Sequence, residues 1–172
     1  MKPGAGKQKG SSFERWVAKE LSLWFSGGKR DDIFWRTHCS GMLGTRSGFK
    51  NESGDIMSVD AVGKVFTDKY HIECRCGKYI SVDDIVYREE RGSIGRFLEE
   101  GMRKAQGKKI FGFVREQRKS VVLILERDDW MDKLGLKFYE IVKCSFGNKF
   151  YVLLWEDFKK SIVLDDVLRS GR

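Results

Sequence analysis

The sequence predicts an α/β domain on three observations. Residues 70–76, Tyr-His-Ile-Glu-Cys-Arg-Cys, alternate as a half-buried strand does. Residues 110–114 and 121–125 are unbroken apolar runs, the pattern of central strands covered on both faces. Helical stripes precede the first strand and separate it from the others, so the sheet has helices to pack against.

The elements follow in order. Residues 1–10 hold the only proline and three glycines among lysines, and read as a flexible basic tail ahead of one domain over residues 11–172. From Ser11 to Phe25 the pattern is helical, with Phe13, Val17, Leu21 and Trp24 on one stripe. Residues 33–36 form a short strand before a glycine- and serine-rich loop over residues 40–54. A further strand is expected over residues 55–62, turning back through Gly63-Lys64 as a hairpin onto the strand at 70–76. The next helix runs near residues 93–105, with Ile94, Phe97, Leu98, Met102 and Ala105 inward and Arg96, Arg103 and Lys104 outside. A short helix after the two apolar strands ends near Leu134-Gly135 and closes a core over about residues 11–134. An addition over about residues 136–172 is expected to supply a β-hairpin, turning at Phe146-Gly147-Asn148, and a short helix.

At 172 residues with 41% hydrophobic content, the chain is long enough for one ordinary core. No apolar run approaches the ~20 residues of a membrane span, and the amino terminus lacks the apolar stretch of a secretory signal. A soluble cytoplasmic protein is expected. Cys39, Cys74, Cys76 and Cys144 form no CxxC pair, and two of them fall on the apolar face of the strand at 70–76, so free buried thiols are expected over a disulfide framework. His38 beside Cys39 keeps a zinc site open.

The net charge of +8 is unevenly placed. Residues 1–30 carry seven Lys/Arg against two Glu and residues 88–119 ten against five, whereas residues 55–87 carry four against six Asp/Glu. A polyanion drawn to the basic flanks would be delivered to a locally acidic centre, which is electrostatically consistent if cations fill that centre. Nucleic acid is the expected partner.

The acidic centre contains Gly54-Asp55-Ile56 and, eighteen residues after the aspartate, Glu73 within Ile72-Glu73-Cys74-Arg75. Strand parity puts His71, Glu73 and Arg75 on one face and Ile72, Cys74 and Cys76 on the other. If the strands pair, Asp55 and Glu73 converge on one cation, the minimum apparatus for cutting a phosphodiester with a hard metal ion. Other readings stand beside this one. Ser11-Ser12-Phe13-Glu14 fits a capping box, Glu20 is a rival helix-borne acid, Asp55 can be a turn residue, and Glu73 and Arg75 can be a surface ion pair.

The order of a helix bearing Glu14, then Gly54-Asp55-Ile56, then Glu73-Cys74-Arg75, then a helix and two apolar strands resembles the PD-(D/E)xK nuclease superfamily. Within it, Gly10-Ser11-Ser12-Phe13-Glu14-Arg15 is similar to the opening of archaeal-type Holliday junction resolvases. Trp35-Arg36-Thr37 with Ser40-Gly41 resembles phage and prophage relatives of those enzymes. The resemblance covers about residues 10–130. It implies a restriction-endonuclease-like core with a central mixed β-sheet flanked by helices, and a homodimeric, Mg²⁺-dependent DNA endonuclease acting on branched DNA, with Mn²⁺ as a substitute. Asp55 and Glu73 would bind metal, Glu14 would complete the site, and Arg75 would stand where the family usually has lysine.

That arginine is the main departure, because guanidinium stays charged and cannot act as a general base. Lys69 shares the parity of Glu73, but four strand residues span ~13 Å. Lys78 has the opposite parity unless Gly77 bulges the strand. DNA contacts are expected from Lys7, Lys9, Arg15, Arg36, Ser40 and Arg46. A restriction- or repair-type nuclease of the same fold acting on linear duplex, and a DNA-binding module with a degenerate site, are the alternatives.

Overall fold

The computed structural model describes residues 5–37, 54–78, 80–81, 92–117, 119–133, 139–141 and 148–168, to which every structural statement below refers. Helix α1 spans Ala5–Phe25. It therefore runs straight through Ser11 and Glu14, and the capping-box reading of those residues fails. Phe13, Val17 and Leu21 are buried as its stripe predicts. The helix ends where Gly27 and Gly28 take positive φ and the Gly28 N–H donates to the Leu23 carbonyl at 2.7 Å, a Schellman closure.

Strand β1 (Phe34–Arg36) pairs antiparallel with β2 (Ile56–Ser58). Here the structure departs from the expected hairpin. Residues 55–62 do not continue as a strand: Asp60 accepts from the Val62 N–H at 2.9 Å and caps helix α2, Ala61–Lys69. Gly63 lies within that helix, not in a turn. A Cβ there would fall 2.6 Å from Ile33 Cγ2, so glycine is what lets α2 lie against β1 and β2.

A five-stranded mixed sheet forms the centre, in the order β3-β4-β5-β7-β6. Strand β3 (Tyr70–Gly77) is parallel to β4 (Lys109–Glu116), with helix α3 (Ser93–Lys104) in the crossover between them. Strand β5 (Val122–Glu126) returns antiparallel to β4, helix α4 (Asp129–Lys133) follows, and strands β6 (Tyr139–Ile141) and β7 (Phe150–Leu154) pair as the expected hairpin. That hairpin is no separate addition, because β7 pairs with β5 and extends the central sheet. Helices α5 (Trp155–Ser161) and α6 (Leu164–Leu168) end the described chain where one short helix is expected.

Both faces of the sheet are covered, as the unbroken apolar runs predict. Phe111, Phe113, Leu123 and Leu125 turn to one face, in a core shared with α1, α2, α5 and α6; Ile110, Val114, Val122 and Ile124 turn to the other, under α3. Phe66 of α2 sits fully buried at the centre of the first core, with ring centroids 4.9 Å from Tyr70 and 5.1 Å from Phe111. Phe66→Ala is expected to lower unfolding free energy by about 3–5 kcal/mol, read as a drop in urea midpoint at unchanged m-value. A loss under about 1 kcal/mol would show that this core is not cooperative with the sheet.

Tyr70, Lys69, Lys109 and the buried Asp128 form a polar brace between β3 and the start of α4. The Tyr70 hydroxyl donates to Asp128 Oδ2 at 2.7 Å, and the Lys69 and Lys109 ammonium groups lie 2.9 and 3.0 Å from its two oxygens. Lys69 is thereby held away from Glu73. No described helix is long and apolar enough to cross a membrane.

Candidate active site

Asp55 lies between the two sheets. Its carbonyl accepts from the Thr37 N–H at 2.8 Å beyond β1, its own N–H donates to the Ile72 carbonyl at 2.9 Å, and its Oδ2 accepts from the Cys74 N–H at 2.8 Å. The last two bonds clamp it to the edge of β3. Gly54 makes the approach possible: at φ +139° it is in a region L side chains avoid, and a Cβ there would sit 3.0 Å from the Ile72 carbonyl oxygen. Convergence of Asp55 with Glu73 is thus achieved without the expected hairpin, by a single glycine-led contact.

Glu73 points to the opposite side from the Cys74 side chain, toward α3. Gly101 of α3 faces it, and a Cβ at Gly101 would lie 3.5 Å from Glu73 Cγ. One carboxylate oxygen, Oε1, accepts from the fully buried His71 Nε2 at 2.8 Å, and Lys104 Nζ stands 3.5 Å from the same atom. Parity puts His71 beside Glu73, yet its role as the group that holds the carboxylate is visible only once β3 is buried.

Burial and electrostatics push the two acids apart in pKa. Desolvation, then the negative charge of Glu73 and more weakly Glu14, raise Asp55 to about 7 against the one opposing bond from Cys74. Burial acts on Glu73 in the same direction, but the His71 hydrogen bond and the Lys104 charge outweigh it and hold Glu73 below its ordinary value. The Cys74 N–H that holds Asp55 belongs to the residue next to Glu73, so the two carboxyls stand close enough for each to bear on the other's charge. At low pH a proton on Asp55 relieves the repulsion within the pair; at neutral pH a bound cation would do the same. A half-buried carboxylate, Asp55, beside a buried one, Glu73, is a donor set that would suit a hard divalent ion. Among the described residues no cluster of three His, Cys, Asp or Glu side chains forms a ready metal cage.

The other predicted site residues fall into separate places. Glu14, half-buried, is paired with Arg36 Nε at 2.9 Å, and its charge reaches Asp55. Arg75 shares the Glu73 face, as parity predicts, but its guanidinium is bonded to Glu100 Oε2 at 2.8 Å and lies 5.8 Å from the Phe97 ring centroid. Arg15 is exposed near Ser11. Lys7 and Lys9 belong to α1, while Ser40 and Arg46, like His38, Cys39 and Cys144, lie outside the described residues. Cys74 and Cys76 are free thiols packed against the first core. The rival acid Glu20 has other work, binding Lys159 at 2.7 Å, and Asp60 caps α2 and pairs with Arg30.

Lys104 is the functional candidate that sequence reasoning placed only on an outer face. Glu100 Oε1 holds its ammonium at 2.9 Å while Glu100 Oε2 holds Arg75, so one carboxylate bridges both cations beside the acid pair. Burial works against the Lys104 charge, but Glu100, Glu73 and Asp55 outweigh it and keep its pKa above the ordinary value. The signal in sequence is the i, i+3 spacing from Gly101, readable only if Gly101 is known to face Glu73.

No curated protein and no solved structure matches the chain. A family model described as "Phage putative PDDEXK endonuclease" matches residues 5–168. That span takes in every element from α1 to α6, including Asp55 and Glu73 side by side at the edge of β3. The chain belongs to this phage PDDEXK endonuclease family.

Proposed function

We propose that the protein is a Mg²⁺-dependent DNA endonuclease that works as a homodimer on branched DNA such as four-way Holliday junctions. The observation that carries this reading is the anchoring of Asp55 on β3, at the residue next to Glu73, in an acid-rich corner flanked by cationic side chains. A divalent ion held by Asp55 and Glu73 would neutralise the phosphate and polarise its oxygens toward attack. The chain's own residues do the positioning: the Cys74 N–H fixes Asp55, His71 fixes Glu73, and the Glu14–Arg36 pair closes the side facing α1. Arg75, fixed in charge, is suited to binding the phosphate backbone next to the cut and not to proton transfer.

The branched substrate rests on the resolvase-like opening of α1, Gly10 to Arg15. A two-fold pair of chains would present two acid pairs to symmetric strands of a junction. Full-length protein should be given labelled four-way junction, nicked duplex and linear duplex of the same sequence, with Mg²⁺ or with a chelator. Junction cleavage at least tenfold faster than duplex cleavage, as paired symmetric nicks abolished by chelation, is the expected result. Equal rates on linear duplex would replace the junction with a restriction- or repair-type substrate. Tight binding with no product in Mg²⁺ or Mn²⁺ would make the protein a non-cleaving module.

A further inference from the structure

We propose that Lys104, carried by helix α3 and not by the strand that bears Glu73, is the cation that contacts the scissile phosphate and the attacking water at the Asp55–Glu73 pair. The proposal rests on the nuclease reading and adds to it the group that completes the site.

The placement follows from the helix. Gly101 brings α3 close over β3 and β4: a Cβ there would lie 3.3 Å from Ile110 Cδ1 of β4, and 3.5 Å, ordinary contact, from Glu73 Cγ of β3. With the helix seated that closely, the residue three positions on projects along the same face. That residue is Lys104, in the last helical turn, where the helix dipole favours a cation. Its ammonium stands 3.5 Å from Glu73 Oε1. The neighbouring cations are committed elsewhere. Arg75 is on Glu100, Arg36 on Glu14, Lys69 on Asp128, and Lys108 donates to the Thr67 carbonyl at 2.7 Å.

Lys104 is also accessible. Its side chain is 42% exposed, and the three donors of its ammonium exceed what Glu100 and Glu73 require. A phosphoryl oxygen arriving beside Glu73 meets this ammonium first, and Glu100 keeps it poised until then.

In the reaction the water oxygen bonds to phosphorus and the bond from phosphorus to the leaving ester oxygen breaks. The water proton passes to solvent, and the leaving oxygen takes one from solvent. Lys104 keeps its protons throughout and donates hydrogen bonds to the phosphoryl oxygen on which charge grows, and to the incoming water. Arg75 acts further along the backbone, as a binding residue.

Single-turnover cleavage of labelled junction by full-length protein in Mg²⁺ tests the assignment, comparing Lys104→Ala, Lys104→Gln, Arg75→Ala and Asp55→Ala, with junction affinity measured in Ca²⁺. The Lys104 variants should lose roughly 10²–10³-fold in rate with affinity within about threefold of the parent. Arg75→Ala should weaken affinity more than it slows the bound complex. Added methylammonium should restore part of the Lys104→Ala rate, while tetramethylammonium at equal ionic strength does not, a response that a merely structural lysine would not show.

Cleavage by both Lys104 variants within threefold of the parent, with Asp55→Ala inactive, would overturn the proposal and leave the acid pair intact. Loss of rate in strict proportion to loss of affinity would also overturn it, by making Lys104 a binding residue. Full activity of Asp55→Ala would overturn the underlying site instead.

Discussion

Asp55→Asn and Glu73→Gln are each expected to reduce phosphodiester cleavage by at least ~10³-fold, the scale on which metal-assisted sites fail when a ligand or a charge-stabilising group is lost. Neither variant should unfold the protein. An asparagine oxygen at position 55 can still accept the Cys74 N–H that now holds Oδ2 at 2.8 Å, and a neutral side chain suits a position where burial already resists the charge. The double variant should be no worse than either single one, because the two carboxylates act as one unit and effects of such pairs do not multiply. Single-turnover rates beside thermal melts would decide the matter. A rate within tenfold of the parent for either variant, at unchanged melting temperature, would remove that carboxylate from the chemistry.

The second large effect is on stability, and its sign follows from the raised Asp55 pKa. In metal-free protein the folded pKa of about 7 lies above the ordinary aspartate value, so between about pH 4 and 7 the folded state binds more protons than the unfolded state. Stability from this group is therefore complete below that window and falls as pH rises through it. Three pKa units correspond to an upper bound of about 4 kcal/mol. Glu73, whose pKa is depressed, acts in the opposite sense and at lower pH, where its stabilising contribution is lost as the acid protonates. From pH 5 to 7 the melting temperature of the parent should thus fall by roughly 5–10 °C more than that of Asp55→Asn.

Mg²⁺ at pH 7 should reverse the loss. Binding at a hundredfold excess over Kd adds about 2.7 kcal/mol, because the ion takes over the compensation that the proton provides at lower pH. Asp55→Asn should show neither the slope nor the shift. Identical pH slopes and identical Mg²⁺ responses for parent and variant, followed by differential scanning fluorimetry, would separate Asp55 from both the buried charge and the ion.

Much of the candidate site's geometry was legible because β-strand parity is a local property. The alternation of residues 70–76 alone puts Glu73 and Arg75 on one face and Cys74 and Cys76 on the other, and the structure keeps that division. The unbroken runs of β4 and β5 likewise declare two covered faces. The stretch after Asp55 was misread for an equally physical reason. Its valines suit a strand by propensity, but Asp60 offers an N-cap to α2, and Gly63 removes the steric bar to packing that helix on β1 and β2. A cap and a close approach outweigh propensity once there is something to approach.

Residue types and their spacing by themselves determined the α/β class, the acid at position 55, and a strand with Glu73 and Arg75 on a common face. Only the tertiary structure decided that Asp55 reaches β3 through Gly54 and two backbone hydrogen bonds, that the C-terminal hairpin extends the central sheet, and that Lys104 comes beside Glu73 while Arg75 is drawn to Glu100. Periodicity assigns a side chain to a face. It carries no information about which distant element will cover that face, because that depends on how closely backbones can approach, and here Gly54 at β3 and Gly63 against β1 and β2 set the distance.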